Sequence, residues 1–320
     1  MKKTVVVTGA AGYIGGQTAL MLADSGYRVV GIDKSKCPKR LKSVFDDYVE
    51  RDFSDTDSLV KVLIHEPTAI VHCAATSLVG PSIRHPGRYF ENNVVNTLTL
   101  LDQVRRSMPR TRFIFSSSAA VYGEPIMTPC HEVDPCEPIS PYGDSKLMVE
   151  RIMAAYHTAY KLDYVALRYF NACGADSQTR HGQTENATHI IARVLEAIKD
   201  DREFTLNGVD YPTPDGSCVR DYVHVEDIAR AHVMALNTEI PAGIYNLGSN
   251  NGTSNREIIA AAERITGKKL KVVMGAARPG DPAVLTASAA KFGMVAEGWK
   301  QFELDHMIQH AWNWYVRKNT

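Results

Sequence analysis

The sequence has 320 residues, 44% of them apolar, which suits one large α/β unit or two domains of a soluble globular protein. Its 36 lysines and arginines balance 36 aspartates and glutamates, so no net field draws it to nucleic acid or a membrane, and an anionic ligand must be held by local groups. No stretch is apolar for long enough to span a bilayer, and the run after Met1-Lys2-Lys3 is too short for a signal peptide; a soluble, cytoplasmic protein is expected.

Thr4 to Val7, T-V-V-V, reads as a strand buried on both faces, and it runs directly into T-G-A-A-G-Y-I-G. Gly9 suits a tight bend, Gly12 a close approach of backbone to a ligand, and Gly15 close packing of the next helix on the sheet. That helix, Gln17 to Ser25 with Gly26 at its stop, turns its unpaired N–H groups and positive dipole end toward the bend, which makes the bend a pyrophosphate site. A strand over Tyr27 to Ile32 ends at Asp33, where a carboxylate accepts from adenosine ribose hydroxyls and repels a 2′-phosphate. The spacing predicts a dinucleotide site for NAD rather than NADP, with Lys34, Lys36 and Arg40 near enough to weaken that preference. The plainer alternative is an ordinary βαβ turn with a solvated Asp33.

Tyr48 to Arg51 reads as a short strand, after which Asp52 and Phe53 either meet the adenine or form a plain strand end with a buried ring. A helix over Thr56 to Ile64, a buried strand over Ala69 to Ala75 and a helix over Tyr89 to Arg105 follow; of Asn92 and Asn93 in that helix, one is structural. Arg112 to Ser116 is the next strand and leads into Ser117 and Ser118 at its carboxyl end. Alternating strands and helices predict an α/β fold with a doubly wound, Rossmann-type parallel sheet and ligands at the carboxyl ends of its strands. In S-P-Y-G-D-S-K, Ser140 suits a helix cap and Pro141 the first helical position, so Tyr142 and Lys146 fall one turn apart on one face. A fixed ammonium, together with a positively charged nicotinamide, would lower the phenol pKa and make Tyr142 a base near neutrality. A surface Tyr–Lys pair is the alternative; the dinucleotide loop and Ser118 argue against it.

Further on, Ala187 to Lys199 reads as a helix, Asn207 to Asp221 as a loop rich in Gly, Pro and Asp, and Arg256 to Gly267 as a helix with a glycine stop. Tyr222 to Leu236, strand then helix, returns to the first domain. The expected division is an NAD-binding domain over 1–171, rejoined by 222–250, and a smaller, mixed α/β part within 172–320 that is mostly substrate-binding. The six cysteines are scattered without a C-x-x-C pair, so they read as free thiols, and the histidines lack ligand spacing, so no metal is expected.

The glycine turn together with Y-F-E-N-N-V, F-I-F-S-S-S-A-A-V-Y-G, S-P-Y-G-D-S-K-L-M-V-E, L-R-Y-F-N, V-R-D-Y-V-H-V-E-D and I-Y-N-L-G resembles the extended short-chain dehydrogenase/reductase superfamily over essentially the whole chain. Within it the similarity is to the UDP-glucose 4-epimerase family. The resemblance implies an isomerase in which Tyr142 removes the proton of the sugar 4-hydroxyl, Ser118 hydrogen-bonds that oxygen, and Lys146 binds the nicotinamide ribose while tuning Tyr142. Hydride would pass from sugar carbon 4 to NAD and back to the other face of a 4-keto sugar, with no net oxidation. Carried over by position, Gly9, Gly12, Tyr13, Ile14, Gly15, Asp33, Asp52, Phe53, Asn92 and Phe170 would line the NAD site with Tyr142 and Lys146. Asn171, Arg220, Arg278 and Asp281 would hold the UDP part of a UDP-sugar, the arginines suiting its diphosphate. Arg220 has a structural ion pair as its alternative.

A homodimer is implied by the resemblance. Three positions depart from the family: Ser77 stands in place of a lysine near the cofactor, Asn207 in place of an aromatic on uracil, and Leu285 in a sugar-pocket position often aromatic or small. A dehydratase would carry an acid pair where Ala119 and Ala120 stand, and an NAD-sensing module without catalysis would lack the tyrosine or lysine. Epimerases of UDP-N-acetylglucosamine or a UDP-pentose share the catalytic set and stay open as alternatives.

Overall fold

Val5 and Val7 point to one side of the first strand and Val6 to the other, and all three are buried, because that strand runs through the middle of a sheet covered on both faces. The computed structural model describes residues 2–183, 189–277 and 282–317. Six strands, β1 (Thr4–Thr8), β2 (Arg28–Asp33), β3 (Asp47–Glu50), β4 (Ala69–His72), β5 (Arg112–Ser118) and β6 (Tyr164–Tyr169), join a late strand, Gly243–Leu247, in one sheet. Its order is Gly243–Leu247, β6, β5, β4, β1, β2, β3, and every neighbour pair is parallel. The direction of winding reverses between β1 and β4, which opens a crevice at their carboxyl ends. One face packs on the Tyr13–Asp24 and Val225–Met234 helices through Ala19, Leu22, Ile228 and Ala231. The other packs on the Asn96–Ser107 and Pro141–Tyr160 helices through Leu100, Val104, Val149 and Met153.

Beyond β6 the chain builds a second, mixed layer. Val219–His224 pairs in parallel with Asn171–Cys173 and Val284–Leu285 and antiparallel with Gly252–Ser254. Glu203–Asn207 and Lys271–Gly275 form a separate parallel pair. The Ile190–Lys199, Asn255–Thr266 and Leu304–Arg317 helices meet around Val194, Leu195, Ile258, Ala262 and Ile308.

Most boundaries fall within two residues of the sequence reading, and four differences bear on the site or its frame. The first helix begins at Tyr13, inside the glycine motif, rather than at Gln17. The β4 strand stops at His72, because from Cys73 the chain leaves the ladder to pass the glycine turn. The helix expected over Tyr89 to Arg105 is three pieces: Pro86–Phe90, a π-helical turn Glu91–Val95, and Asn96–Ser107. The wide turn brings Asn93 inward, where its side chain accepts from Thr76 N (2.8 Å) and donates to Thr76 O (3.0 Å) and Ser145 Oγ (2.9 Å). The loop expected to run to Asp221 ends at Val219, where the ladder to Val284–Leu285 begins. The start expected at Ala187 lies outside the described residues; the helix there runs Ile190–Lys199.

Candidate active site

Gly9 takes φ +69°, the left-handed bend the motif calls for, and a Cβ on Gly15 would lie 2.2 Å from the Gly9 carbonyl oxygen. The turn is thus folded tightly onto the first turn of the Tyr13–Asp24 helix. No side chain caps that helix and no acid sits in its first turn. Its leading N–H groups and dipole form a donor set that fits a pyrophosphate, so the residues present suit a dinucleotide. Asp33 closes the turn from the side, its carboxylate accepting from Ala11 N (3.1 Å) and Ser35 N (2.8 Å). Tyr13 and Ile14 are half-buried, and the Tyr13 hydroxyl donates to Gly174 O (2.8 Å).

At the end of β3, the Asp52 carboxylate accepts from Ser54 N (3.0 Å) and Ser54 Oγ (2.9 Å). The Phe53 ring is buried edge-on against His72, 4.9 Å between centroids, rather than turned outward. Asn92 is half-buried and donates to Thr76 Oγ1 (3.2 Å). Ser77 is exposed in the next stretch of chain.

The Pro141–Tyr160 helix starts as its sequence dictates, with Ser140 Oγ accepting from Gly143 N (3.2 Å) and Pro141 in the first turn. Tyr142 therefore faces the end of β5, near Ser118. The Ser118 oxygen accepts from Ala120 N (3.2 Å), which fixes its rotamer. One turn on, Lys146 is buried with Nζ donating to Ser116 O (2.7 Å), 5.9 Å from the centre of the Tyr142 ring. Burial lowers the Lys146 pKa to about 8, against the opposing pull of Cys73 and Glu150. Burial raises the Tyr142 pKa; the nearby Ser118 hydroxyl opposes this and Tyr89 adds to it. The expected lowering of Tyr142 by Lys146 is therefore corrected for the chain alone: its ammonium is held on a backbone carbonyl, and desolvation of the phenol wins.

The residues expected on the substrate side lie beyond the same strand ends. Tyr169 pairs with Ser118, and the chain continues through buried Phe170 to Asn171, whose Nδ2 donates to Asp221 O (2.8 Å). Arg220 is buried, donates from Nη1 to Val219 O (2.8 Å), and stands opposite Leu285 in the parallel ladder. Leu285 is half-buried and packs on the cluster of Ala119, Tyr122, Cys130, Leu147 and Phe170, next to Ser118. Asn207 is half-buried at the end of Glu203–Asn207. Arg278 and Asp281 lie outside the described residues. Among the described residues no group of three His, Cys, Asp or Glu could hold a metal, and no helix is long and apolar enough to cross a membrane. None of the six cysteines is in a disulfide.

Residues 5–248 match the NAD dependent epimerase/dehydratase family. The chain belongs to that family. Among curated epimerase/dehydratase relatives, it is 40% identical over 321 residues to the UDP-glucose 4-epimerase of Halalkalibacterium halodurans, covering 97% of this chain and 95% of that protein. The structure is similar, with TM-score 0.91 and 40% identity, to UDP-glucose 4-epimerase from Brucella ovis in complex with NAD, over 97% of this chain and 98% of that one. It is likewise similar, with TM-score 0.91 and 32% identity, to UDP-glucose 4-epimerase from Bifidobacterium longum in complex with NAD+ and UDP, over 99% of both chains.

Two residues of this family member escaped the sequence reading. Glu150 and Arg168 form a buried, two-pronged ion pair beneath the Tyr142 helix, Nε to Oε1 at 2.9 Å and Nη2 to Oε2 at 2.6 Å. The available signal was an arginine inside the otherwise apolar strand Y-V-A-L-R-Y and a glutamate one turn after Lys146.

Proposed function

We propose that the chain catalyses NAD-dependent 4-epimerisation of a UDP-hexose, interconverting UDP-glucose and UDP-galactose through a transient 4-keto sugar. The observation that carries this is Tyr142 near Ser118, with buried Lys146 one turn away, at the same end of the sheet as the glycine turn. Tyr142 takes the proton of the sugar 4-hydroxyl and later returns it, while Ser118 holds that oxygen. Bound NAD supplies reversible hydride transfer at sugar carbon 4 and a positive charge that favours the phenolate. Lys146 orients the cofactor ribose and adds its own charge.

The uncapped N–H groups at Tyr13, Ile14 and Gly15 hold the pyrophosphate, beside Gly9 and Gly12, and Asp33 takes the adenosine ribose. Asp52, the backbone at Phe53, Asn92 and Phe170 complete that site; Asn171 and Arg220, with Arg278 and Asp281, hold UDP. The labour divides between 1–171 with 222–250 on the cofactor side and the rest of 172–320 on the sugar side. A homodimer is supported by apolar side chains left exposed on neighbouring helices, Leu98 on one and Met148 on the other. The cytoplasm is the compartment that the family resemblance supports.

Incubating the purified protein with UDP-galactose, UDP-N-acetylgalactosamine and UDP-pentoses, without added reductant, tests the reading. Interconversion of the UDP-hexoses without NADH release is expected. Steady NADH accumulation in proportion to sugar consumed would replace it with a dehydrogenase, and exclusive turnover of another UDP-sugar would reassign the substrate.

A further inference from the structure

We propose that the buried Glu150–Arg168 pair is a positioning device for the reaction, locking the helix that carries Tyr142 and Lys146 to the strand ends that carry Ser118. The inference rests on the function proposed above. Tyr142, Lys146 and Glu150 recur every four residues on one face of the Pro141–Tyr160 helix. The Glu150 carboxylate accepts from both prongs of Arg168 on β6 and from Ser117 Oγ on β5, the residue before Ser118. Ser117 and Arg168 are also directly paired in the parallel ladder. The third arm of Arg168, Nη1, donates to the Tyr122 hydroxyl (2.9 Å), which donates to Asn246 Oδ1 (2.7 Å) on the Gly243–Leu247 strand. Asn246 in turn donates from Nδ2 to Cys130 O (3.0 Å).

Ser118 is therefore bracketed, by Ser117 before it and Tyr122 after it, in a network that ends on the catalytic helix. Glu150 and Arg168 are both almost fully buried. A planar guanidinium bonded on three sides tolerates little sliding of one element past another, so the separation of Ser118 from Tyr142 is set here.

The pair also acts on Lys146. The titratable groups facing that ammonium are Tyr142 and Glu150 on its own helix and His72 and Cys73 at the end of β4. Burial lowers His72 to about 3 and raises Cys73 to about 11, so both are neutral at pH 7, and burial raises Tyr142. Glu150, paired with Arg168, favours the charged lysine.

Replacing both partners with apolar residues of similar length, Glu150→Met with Arg168→Met, removes the lock without stranding a buried charge, a change that cores tolerate well. Thermal midpoint, bound NAD, kcat and KM for UDP-galactose, and the pH profile of kcat are then compared with the parent protein. The expected result is a near-parental midpoint, NAD content and KM, with kcat lower by about tenfold to a hundredfold and its alkaline limb moved to lower pH. A well-folded double variant with parental kcat and an unmoved limb overturns the proposal. Should the double variant fail to fold, Ser117→Ala, which deletes one hydroxyl on the strand side, decides: a severalfold fall in kcat at constant KM and midpoint is expected, and no fall overturns it. A parent inactive on every UDP-sugar would overturn the proposed function and this inference with it, whereas equal activity of parent and variant overturns the positioning role alone.

Discussion

Gly15→Ala is the sharpest test of the glycine turn as a dinucleotide site. The added methyl would start 2.2 Å from the Gly9 carbonyl oxygen, whereas Cβ atoms essentially never come nearer than 3.0 Å, so turn and helix must part by about 0.8 Å. Neither side can yield by rotating a side chain, since the obstacle is backbone on both. Overpacking of this kind costs about 1–3 kcal/mol. For a protein of this size that lowers the thermal midpoint by roughly 2–6 °C. The same displacement moves the helix N–H groups relative to the bend, so cofactor affinity should fall by roughly fivefold to a hundredfold. Gly293→Ala is the control: it sits in the short Ala290–Val295 helix with nothing within 4 Å of its Cβ, and it should be neutral or stabilising by up to about 1 kcal/mol. Thermal unfolding and the NAD released on denaturation, per chain, measure both effects. A Gly15→Ala protein with parental NAD content and midpoint would refute the close-packed turn.

Tyr142→Phe should keep the fold and bound NAD while turnover of UDP-galactose falls by about a hundredfold to ten-thousandfold, since only the oxygen that exchanges the proton is lost; near-parental turnover would move the base to Ser118. Because burial sets Lys146 at about 8, its ammonium is present below that pH and lost above it, so kcat should decline as pH rises through about 8; a flat profile to pH 10 would remove the ammonium from the mechanism. Leu285→Tyr should disfavour UDP-N-acetylgalactosamine relative to UDP-galactose by roughly tenfold to a hundredfold. An unchanged ratio of kcat/KM, with a lowered midpoint, would leave Leu285 as a packing residue only.

The cofactor half was legible because its signals are local. Strand, glycine turn, helix and acid lie within residues 4–33, and the cap, proline, tyrosine and lysine within residues 140–146; each constrains its neighbours through backbone geometry. What the sequence hid depends on distance in the chain. The π turn at Glu91–Val95 exists because Asn93 is satisfied by Thr76 and Ser145, partners that periodicity cannot see. The Val219–His224 strand lies partly within a Gly- and Pro-rich stretch, and its partners come from both earlier and later in the chain. The rise in the Tyr142 pKa was invisible for the same reason: the Tyr–Lys spacing gives proximity, while burial of the phenol and the Ser116 carbonyl that engages Lys146 come from the folded sheet.

The late origin of the Gly243–Leu247 strand has a consequence for how the protein is made. As the chain leaves the ribosome, β1 to β6 can pair with one another, but the outer rim of β6 has no partner until synthesis has advanced from Tyr169 to Gly243. Throughout that interval a parallel edge reading V-A-L, between Tyr164 and Arg168, stands open to any other extended segment. Arg168, at the end of that edge, gains its Tyr122–Asn246 link when the missing strand arrives. Nascent chains stalled between these two points should therefore be the ones that aggregate or engage chaperones, and chains released beyond Leu247 should not.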